Sequence, residues 1–350
     1  MEPGEAEGMR LSLDDLQEAQ QAKAAAQDEF LAPQNLRTNV AGLAVGSKIE
    51  GGRPTGEPAV MVLVNQKVPE ELLEERDLVP EELEGMQTDV LNIGVPIALG
   101  YAPMGAATQT LARRIRPAQG GYSVGHPQVT AGTIGTCVYD ILPGGTTNPP
   151  AHGTGIPPRY YILSNNHVLA NSNAANAGDP ILQPGRVDGG TDPADRIALL
   201  NRFIPITFFP QVPLERHRNV VDCAVAEAQF HDVNREIYWT GYVRGWRRRA
   251  NVAVGALLQK TGRTTNYTTG RITAINATID INYGGGRVAR FVDQIVTTNM
   301  SAGGDSGSLV TTLDDVAVGL LFAGSPVATI LNQIEHVRSL LRVEVAEQIL

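Results

Sequence analysis

A serine flanked by glycines lies in the segment Ser301-Ala-Gly-Gly-Asp-Ser-Gly-Ser-Leu-Val310. Glycines around Ser306 allow backbone N–H groups to converge beside a hydroxyl, where bulky side chains would hinder the turn and the approach of a substrate. Acyl transfer needs this arrangement because charge develops on the carbonyl oxygen in the transition state, and each preorganised donor contributes about 3 kcal/mol. We predict Ser306 as a nucleophile, with the amides of Gly304 and Ser306 as oxyanion donors. An ordinary glycine-rich turn is the alternative.

A histidine follows an apolar, strand-like run in Tyr160-Tyr-Ile-Leu-Ser-Asn-Asn-His-Val-Leu169. A serine hydroxyl is a weak nucleophile until a base removes its proton, and an imidazole is suited to that task near neutral pH. Of the six histidines, only His167 follows a rigid apolar strand that would position it. The sequence therefore predicts His167 as the general base.

The acid that orients the base is expected within an apolar run, because a buried carboxylate is costly without a partner. Asp222 meets that requirement in Asn219-Val-Val-Asp-Cys-Ala-Val-Ala226. Asp195 also opens an apolar run, but it follows a loop that contains Asp188 and Asp192. We favour Asp222 as the acid, with Asp195 as the alternative.

The order His, Asp, Ser and the motifs Ser164-Asn-Asn-His-Val168, Asp222-Cys-Ala-Val225 and Gly304-Asp-Ser-Gly307 resemble the chymotrypsin and trypsin family. The chain as a whole, including Lys260-Thr-Gly-Arg-Thr264, resembles a bacterial group of trypsin-like proteins akin to the plant narrow-leaf protease. This resemblance implies two six-stranded β-barrels with the three residues in the cleft between them. It also favours a homo-oligomer.

The resemblance implies a specificity pocket as well. Counting back six residues from Ser306 places Met300 at the pocket floor, with Gly324 on the wall and Phe322 beside it. A floor without an acidic residue predicts a neutral, apolar or small substrate side chain.

The resemblance also raises the question of which cation pairs with Asp305, the residue before Ser306. We favour a partner within the chain over a new N-terminus released by cleavage at Arg114-Ile115.

The pattern of elements predicts a mainly β chain with a C-terminal helix, since short apolar runs alternate with Gly, Pro, Asn and Asp clusters after residue 123. A helix is expected over residues 12–30 with Ser12 as its N-cap, and strands joined by Gly51-Gly52 follow. A short helix is expected after Pro69, and the terminal helix over 327–345. The expected organisation is a helical arm at 1–33, a small α+β domain at 34–100, a connector at 101–122 and a peptidase domain at 123–350.

Composition and sequence patterns indicate which binding partners and which cellular compartment to expect. The net charge of −9 disfavours nucleic acid, although four arginines surround Trp246 within residues 244–249, where a solvated loop is the default interpretation. No apolar run reaches the length of about 20 residues that a membrane helix needs, and no secretory signal is visible, so we expect a cytoplasmic protein. In that setting Cys137 and Cys223 are expected to be reduced core thiols, with a disulfide between them as the alternative. No metal or cofactor is expected, because the spacing of the aspartates at 188, 192 and 195 matches no calcium loop.

The leading hypothesis is a serine endopeptidase acting on proteins or peptides through an acyl-enzyme on Ser306. Two alternatives are open. One is a latent or non-proteolytic scaffold or binding protein that keeps the protease fold, with its N-terminal domain mediating assembly. The other is an esterase that uses the same residues on a different leaving group.

Overall fold

The computed structural model of the chain describes residues 11–32, 39–98, 111–141 and 159–345. Among them the chain is mainly β, with two strand-rich units preceded by a helix and a small group of strands. The predicted fold class is confirmed. In the described residues, no helix has both the length and the apolar character needed to cross a membrane. Residues 101–110 of the predicted connector lie outside the described residues.

The N-terminal helix α1 spans Leu13–Phe30, as the sequence predicts. Ser12 caps it: the Ser12 hydroxyl accepts from the Asp15 amide while the Asp15 carboxylate accepts from the Ser12 amide. This reciprocal capping satisfies two of the amides that a helix start leaves unpaired. The helix buries Lys23, whose Nζ donates to Asn276 Oδ1 and Thr278 Oγ1, both at 3.0 Å. The arm is therefore docked on the body of the protein.

The strands that follow α1 are β1 (Val40–Glu50), β2 (Arg53–Val64), β3 (Glu82–Leu83), β4 (Met86–Asn92) and β5 (Ile97–Ala98). The next strands are β6 (Ala118–Gly120), β7 (Ser123–Val124), β8 (Gly132–Thr133), β9 (Thr136–Asp140), β10 (Tyr160–Ser164), β11 (Pro180–Leu182), β12 (Arg196–Phe203), β13 (Ala224–Ala228) and β14 (Val233–Ile237). The four-residue helix α2 (Asn166–Leu169) follows β10.

The last strands are β15 (Gly245–Trp246), β16 (Leu257–Gly262), β17 (Asn266–Gly284), β18 (Arg287–Thr298), β19 (Leu309–Thr312), β20 (Val316–Gly324), β21 (Ala328–Gln333) and β22 (Val343–Glu344). The helix α3 (Ile334–Leu341) lies between β21 and β22. A turn of three glycines with positive φ, Gly284-Gly-Gly286, joins β17 to β18.

Two groups of six strands form the body. In the first, the order is β11-β12-β13-β10-β9-β22. In the second, β16-β19-β20-β21-β18-β17 closes into a barrel because β16 also pairs with β17. Apolar side chains of both groups and of α3 share one cluster, which includes Leu163, Val225 and Leu320. The two units are therefore packed directly against each other.

The N-terminal strands are continuous with the second barrel. Strand β1 pairs with β17 on one side and with β2 on the other, so the sheet extends through β4 and β3. Leu16 of α1, Val45 of β1 and Val310 of β19 belong to one apolar cluster. The segment predicted as a separate small domain thus shares a sheet and a core with the barrel, while its boundaries stay a prediction.

Two predicted helices differ in the structure. The segment after Pro69 forms two short 3-10 turns, Glu70–Leu72 and Glu75–Asp77, and the first of them buries no side chain that would support a longer helix. The terminal helix begins only at Ile334. Residues 328–333 instead form β21, since they pair with strands on both sides and all six are buried. Cys137 and Cys223 are buried free thiols, as expected.

Candidate active site

His167 lies on α2, immediately after β10, so the rigid strand places the imidazole where the two six-stranded groups meet, against the ring of Tyr283. Its Nδ1 lies 2.6 Å from Asp222 Oδ2, and its backbone amide donates to Asp222 Oδ1 at 3.1 Å. Because a carboxylate accepts, Nδ1 carries the proton and Nε2 presents a lone pair. The histidine is therefore held in the tautomer of a general base.

Asp222 is fully buried and is fixed from both barrels. Its amide donates to Asn332 Oδ1 at 2.9 Å, and Asn332 in turn donates to Gln294 Oε1 at 2.7 Å. Asn165, two residues before His167, donates to the Asp222 carbonyl at 2.7 Å. These amide contacts hold the acid in register with the base.

The structure brings Asp222, and not Asp195, to His167. Asp195 instead pairs with Arg114, whose Nε lies 3.1 Å from Asp195 Oδ1. The other two aspartates of that loop also find cationic partners, since Asp188 pairs with Arg263 and Asp192 with Arg196. The three carboxylates are therefore engaged by three different arginines.

Tyr283 is a member of the site that the sequence does not reveal. Its hydroxyl donates to Asp222 Oδ2 at 2.7 Å, and its ring packs edge-on against the imidazole of His167 at 6.0 Å between centroids. Burial and the nearby Asp222 charge raise the pKa of Tyr283 well above its usual value, so the hydroxyl stays protonated and keeps donating. A lone tyrosine 61 positions after Asp222 carries no motif that would identify it.

Ser306 is fully buried at the start of the loop that leads into β19. Its Oγ lies 3.4 Å from the carbonyl oxygen of Phe322. Within the described residues, the buried Nε2 of His167 has no hydrogen-bond partner. The bond between Ser306 and His167 that proton transfer requires is therefore not formed, which is common in unliganded sites.

The residue after Ser306 must be glycine. Gly307 has φ of +95°, and a Cβ there would lie 2.0 Å from Ser164 Oγ and 2.4 Å from the Thr133 carbonyl. Ser164 is three positions before His167 and donates to that same carbonyl at 2.7 Å. Close packing at Gly307 thus connects the nucleophile segment to the histidine segment.

Each of the two amides predicted as oxyanion donors follows a carbonyl that accepts a hydrogen bond from a side-chain hydroxyl. The Gly303 carbonyl accepts from Thr264 Oγ1 at 2.7 Å, and the Asp305 carbonyl accepts from Ser308 Oγ at 2.7 Å. In a trans peptide the next N–H points opposite to the carbonyl. The Gly304 and Ser306 amides therefore point away from these hydroxyls, and their role as a donor pair stays a prediction.

Asp305 has the internal partner that the sequence analysis favours. Lys260 Nζ of β16 lies 3.2 Å from Asp305 Oδ2, and both side chains are fully buried. The Thr264 amide donates to Oδ1 at 2.8 Å, and the Ala302 amide donates to Oδ2 at 3.0 Å. Burial lowers the pKa of Lys260, and the Asp305 charge opposes that effect. The ion pair fixes the loop that carries Ser306.

The residues predicted for the specificity pocket have different surroundings. Met300 is buried among apolar side chains of the second barrel, over Gly270. Phe322 packs against Phe291 at 4.8 Å between ring centroids. Gly324 lies at the end of β20. Their assignment to the pocket stays a prediction.

Comparisons with known proteins agree with the motifs. Residues 27–96 match the family described as the NARROW LEAF 1 N-terminal domain. Serine protease 2 of Streptomyces fradiae is 38% identical over 92 residues, which are 26% of this chain and 44% of that protein. Glutamyl endopeptidase 2 of Streptomyces griseus is 48% identical over 58 residues, which are 17% of this chain and 28% of that protein.

Solved structures were also compared. Thermobifida fusca protease A has a TM-score of 0.43 and 16% identity, covering 65% of this chain and 98% of that one. Cellulomonas bogoriensis chymotrypsin has a TM-score of 0.41 and 17% identity, covering 66% and 98%. The matched segments span less than half the length of the two curated relatives. The predicted resemblance is confirmed: over the matched segments this chain is similar to bacterial serine proteases, and over residues 27–96 it is similar to the NARROW LEAF 1 N-terminal domain.

Proposed function

We propose that this chain is a serine endopeptidase that cleaves proteins or peptides through an acyl-enzyme on Ser306. The observation that carries this proposal is the buried contact of 2.6 Å between His167 Nδ1 and Asp222 Oδ2, which leaves Nε2 as the basic nitrogen. Partial sequence similarity to bacterial serine proteases supports the same reaction class.

The reaction follows from these groups. His167 Nε2 takes the proton as Ser306 Oγ attacks the scissile carbonyl, and Asp222 stabilises the imidazolium that results. The Gly304 and Ser306 amides donate to the oxyanion, each contributing about 3 kcal/mol to the transition state. The imidazolium then protonates the leaving amine, and water, deprotonated by the same nitrogen, hydrolyses the acyl-enzyme.

A second candidate is a latent or non-proteolytic scaffold with the same fold. The full burial of Ser306 favours it, since a substrate must reach Oγ. Yet the buried acid, base and nucleophile together have no use in a purely structural role, which favours the enzyme. The esterase alternative uses the same residues and differs only in the bond that is cleaved.

One experiment can test both whether the chain cleaves peptides and which side chain it prefers next to the cleaved bond. The pocket expected from Met300, Phe322 and Gly324 predicts cleavage after neutral, apolar or small residues. The name of one relative, glutamyl endopeptidase 2, supplies the contrasting expectation of cleavage after glutamate. An unbiased peptide library therefore reports on both questions at once.

The library is cleaved with the wild type and with Ser306→Ala and His167→Ala. His231→Ala is the matched control, because the His231 side chain is 80% exposed, whereas the side chain of His167 is 9% exposed. We expect cleavage by the wild type and His231→Ala, with a loss of at least 1000-fold in the two site variants. Equal cleavage by Ser306→Ala would refute the proposal, and folded chains that cleave no peptide favour the scaffold.

Two further expectations accompany this proposal. The protein is expected to form a homo-oligomer, which light scattering of the purified chain measures directly. It is also expected to act in the cytoplasm without binding nucleic acid or membranes, and cell fractionation tests the compartment.

A further inference from the structure

Beside Ser306, the last residues of β20 are not paired with β19, the strand next to β20 in the barrel. Strand β19 pairs with β20 only between residues 309–311 and 317–320. The last contacts before the nucleophile are Gly307 N to Leu321 O and Leu321 N to Ser308 O. Residues 322–324 of β20 therefore continue past β19 and present an edge that begins next to Ser306.

A strand from the N-terminal part of the chain covers this edge. Ala98 lies opposite Ala323 and Ile97 lies opposite Gly324 in antiparallel pairing. On its other side Ile97 pairs with Asn282, whose amide donates to the Pro96 carbonyl at 3.2 Å. Strand β5 is thus inserted between β20 and the end of β17.

The segment that leads into β5 is anchored to the same barrel. Ile93 is buried, and its carbonyl accepts from the Ser325 hydroxyl. Gly94 has φ of +65°, and a Cβ there would lie 2.8 Å from Ser325 Oγ. Ala98 packs against the apolar cluster that contains Phe322 and Ala323. These contacts make β5 a docked element of the fold.

The direction of β5 leads along the edge toward the nucleophile. From Ile97 to Ala98 the chain advances from Gly324 toward Phe322, whose carbonyl oxygen lies 3.4 Å from Ser306 Oγ. Extended peptides bind proteins by adding a strand to an exposed sheet edge, with main-chain bonds giving affinity. An extended substrate at this edge would occupy the place that β5 now holds.

We propose that Ile97 and Ala98 act as an intramolecular competitor of extended peptide substrates at the edge formed by residues 322–324. The role of this competitor rests on the proposed function. The N-terminal unit restrains the active site, and substrate enters only when β5 leaves the edge. The residues of β5 also indicate which substrates the edge accepts. By analogy with Ala98 and Ile97, a substrate would place a small side chain opposite Ala323 and a β-branched side chain opposite Gly324.

A reversible lock tests the competition. Opposed residues of an antiparallel pair have Cβ atoms about 5 Å apart, close to the separation in a disulfide. In the double variant Ala98→Cys and Ala323→Cys, oxidation therefore fixes β5 on the edge, and a reductant releases it. We expect at least a tenfold lower rate of fluorogenic peptide cleavage in the oxidised form than in the reduced form.

A second variant releases the strand. Ala98→Asp places a charge against the apolar cluster, and Val95→Asp is the matched control because Val95 is 58% exposed. The probe is a fluorescein-labelled peptide with the sequence of residues 93–98, followed by anisotropy. Since apparent affinity scales with the fraction of competent molecules, we expect Ala98→Asp to bind it at least tenfold more tightly than the wild type or Val95→Asp.

The outcomes separate this proposal from the proposed function. Equal peptide affinity in Ala98→Asp, Val95→Asp and wild type, with equal affinity in the oxidised and reduced double variant, overturns the competition. If affinities follow the expected pattern but no variant cleaves any peptide, the intramolecular competitor stands and the endopeptidase fails. Cleavage that is unaffected by the disulfide shows an active enzyme whose substrates do not use this edge.

Discussion

Replacing Lys260 by methionine removes the cationic partner of a fully buried carboxylate. Lys260 Nζ lies 3.2 Å from Asp305 Oδ2, and neither side chain is exposed to solvent. Breaking a buried ion pair by removing one partner costs about 3–5 kcal/mol, because a charge is left without compensation. Asp305 keeps donors from the Thr264, Thr265 and Ala302 amides. We therefore expect the low end of that range, a loss of about 3 kcal/mol in the free energy of unfolding.

The assay is equilibrium unfolding in urea, with Lys48→Met as the matched control. Lys48 pairs with Glu50 at 3.8 Å on the surface, and such pairs contribute about 0–1 kcal/mol. In the double variant Lys260→Met and Asp305→Asn, the buried charge is also removed, so much of the lost stability should return. A Lys260→Met variant within 0.5 kcal/mol of the wild type would refute the reasoning, as would additive effects of the two substitutions.

Three further predictions follow from the site and the N-terminal arm. Asp222→Asn should lower the peptide cleavage rate by about 10000-fold, whereas Asp195→Asn should leave it within a few-fold; equal losses would contradict the assignment of the acid. Tyr283→Phe should keep the fold but shift the acidic limb of the cleavage rate against pH, since it removes one donor to Asp222 Oδ2; an unchanged profile would contradict a positioning role. Burial, opposed by the Asp293 charge, lowers the pKa of Lys23 to about 8, so the unfolded chain binds more protons than the folded one between that value and the usual 10.5. Between pH 8 and 10, the free energy of unfolding of the wild type should therefore rise with pH relative to that of Lys23→Met. Parallel curves of unfolding free energy against pH for the two chains would contradict this prediction.

Local motifs suffice to single out the three residues that we propose as reactive. His167, Asp222 and Ser306 each lie within a short segment whose apolar or glycine-rich surroundings indicate a buried, positioned group. Their mutual placement depends on strands that the sequence pattern also indicates, such as the apolar run before His167, which forms the strand Tyr160–Ser164.

Groups that act across long sequence separations are not predictable in this way. Tyr283 reaches Asp222 from the end of a long hairpin, and Lys260 reaches Asp305 from a neighbouring strand. Neither has a local signature, because an isolated tyrosine or lysine in a strand is usually a surface residue. Only the tertiary fold shows that both side chains contact a buried aspartate.

Short or ambiguous elements account for the remaining differences. Residues 328–333 carry apolar side chains at spacings that also fit a helix, and pairing with β18 and β20 decides in favour of a strand. The two-residue strand β5 has no pattern of its own. Its position follows from anchoring at Ile93 and from the open edge of β20, which are both tertiary features.

The central claim is that Ser306 is a nucleophile activated by His167 and Asp222. The most direct measurement is labelling of the purified chain with a fluorophosphonate, followed by mass spectrometry of its peptides. We predict one adduct, on Ser306, that is absent from Ser306→Ala and forms much more slowly in His167→Ala and Asp222→Asn. Two results would contradict this prediction: no adduct in either the wild type or Ala98→Asp although both are folded, or an adduct at a residue other than Ser306.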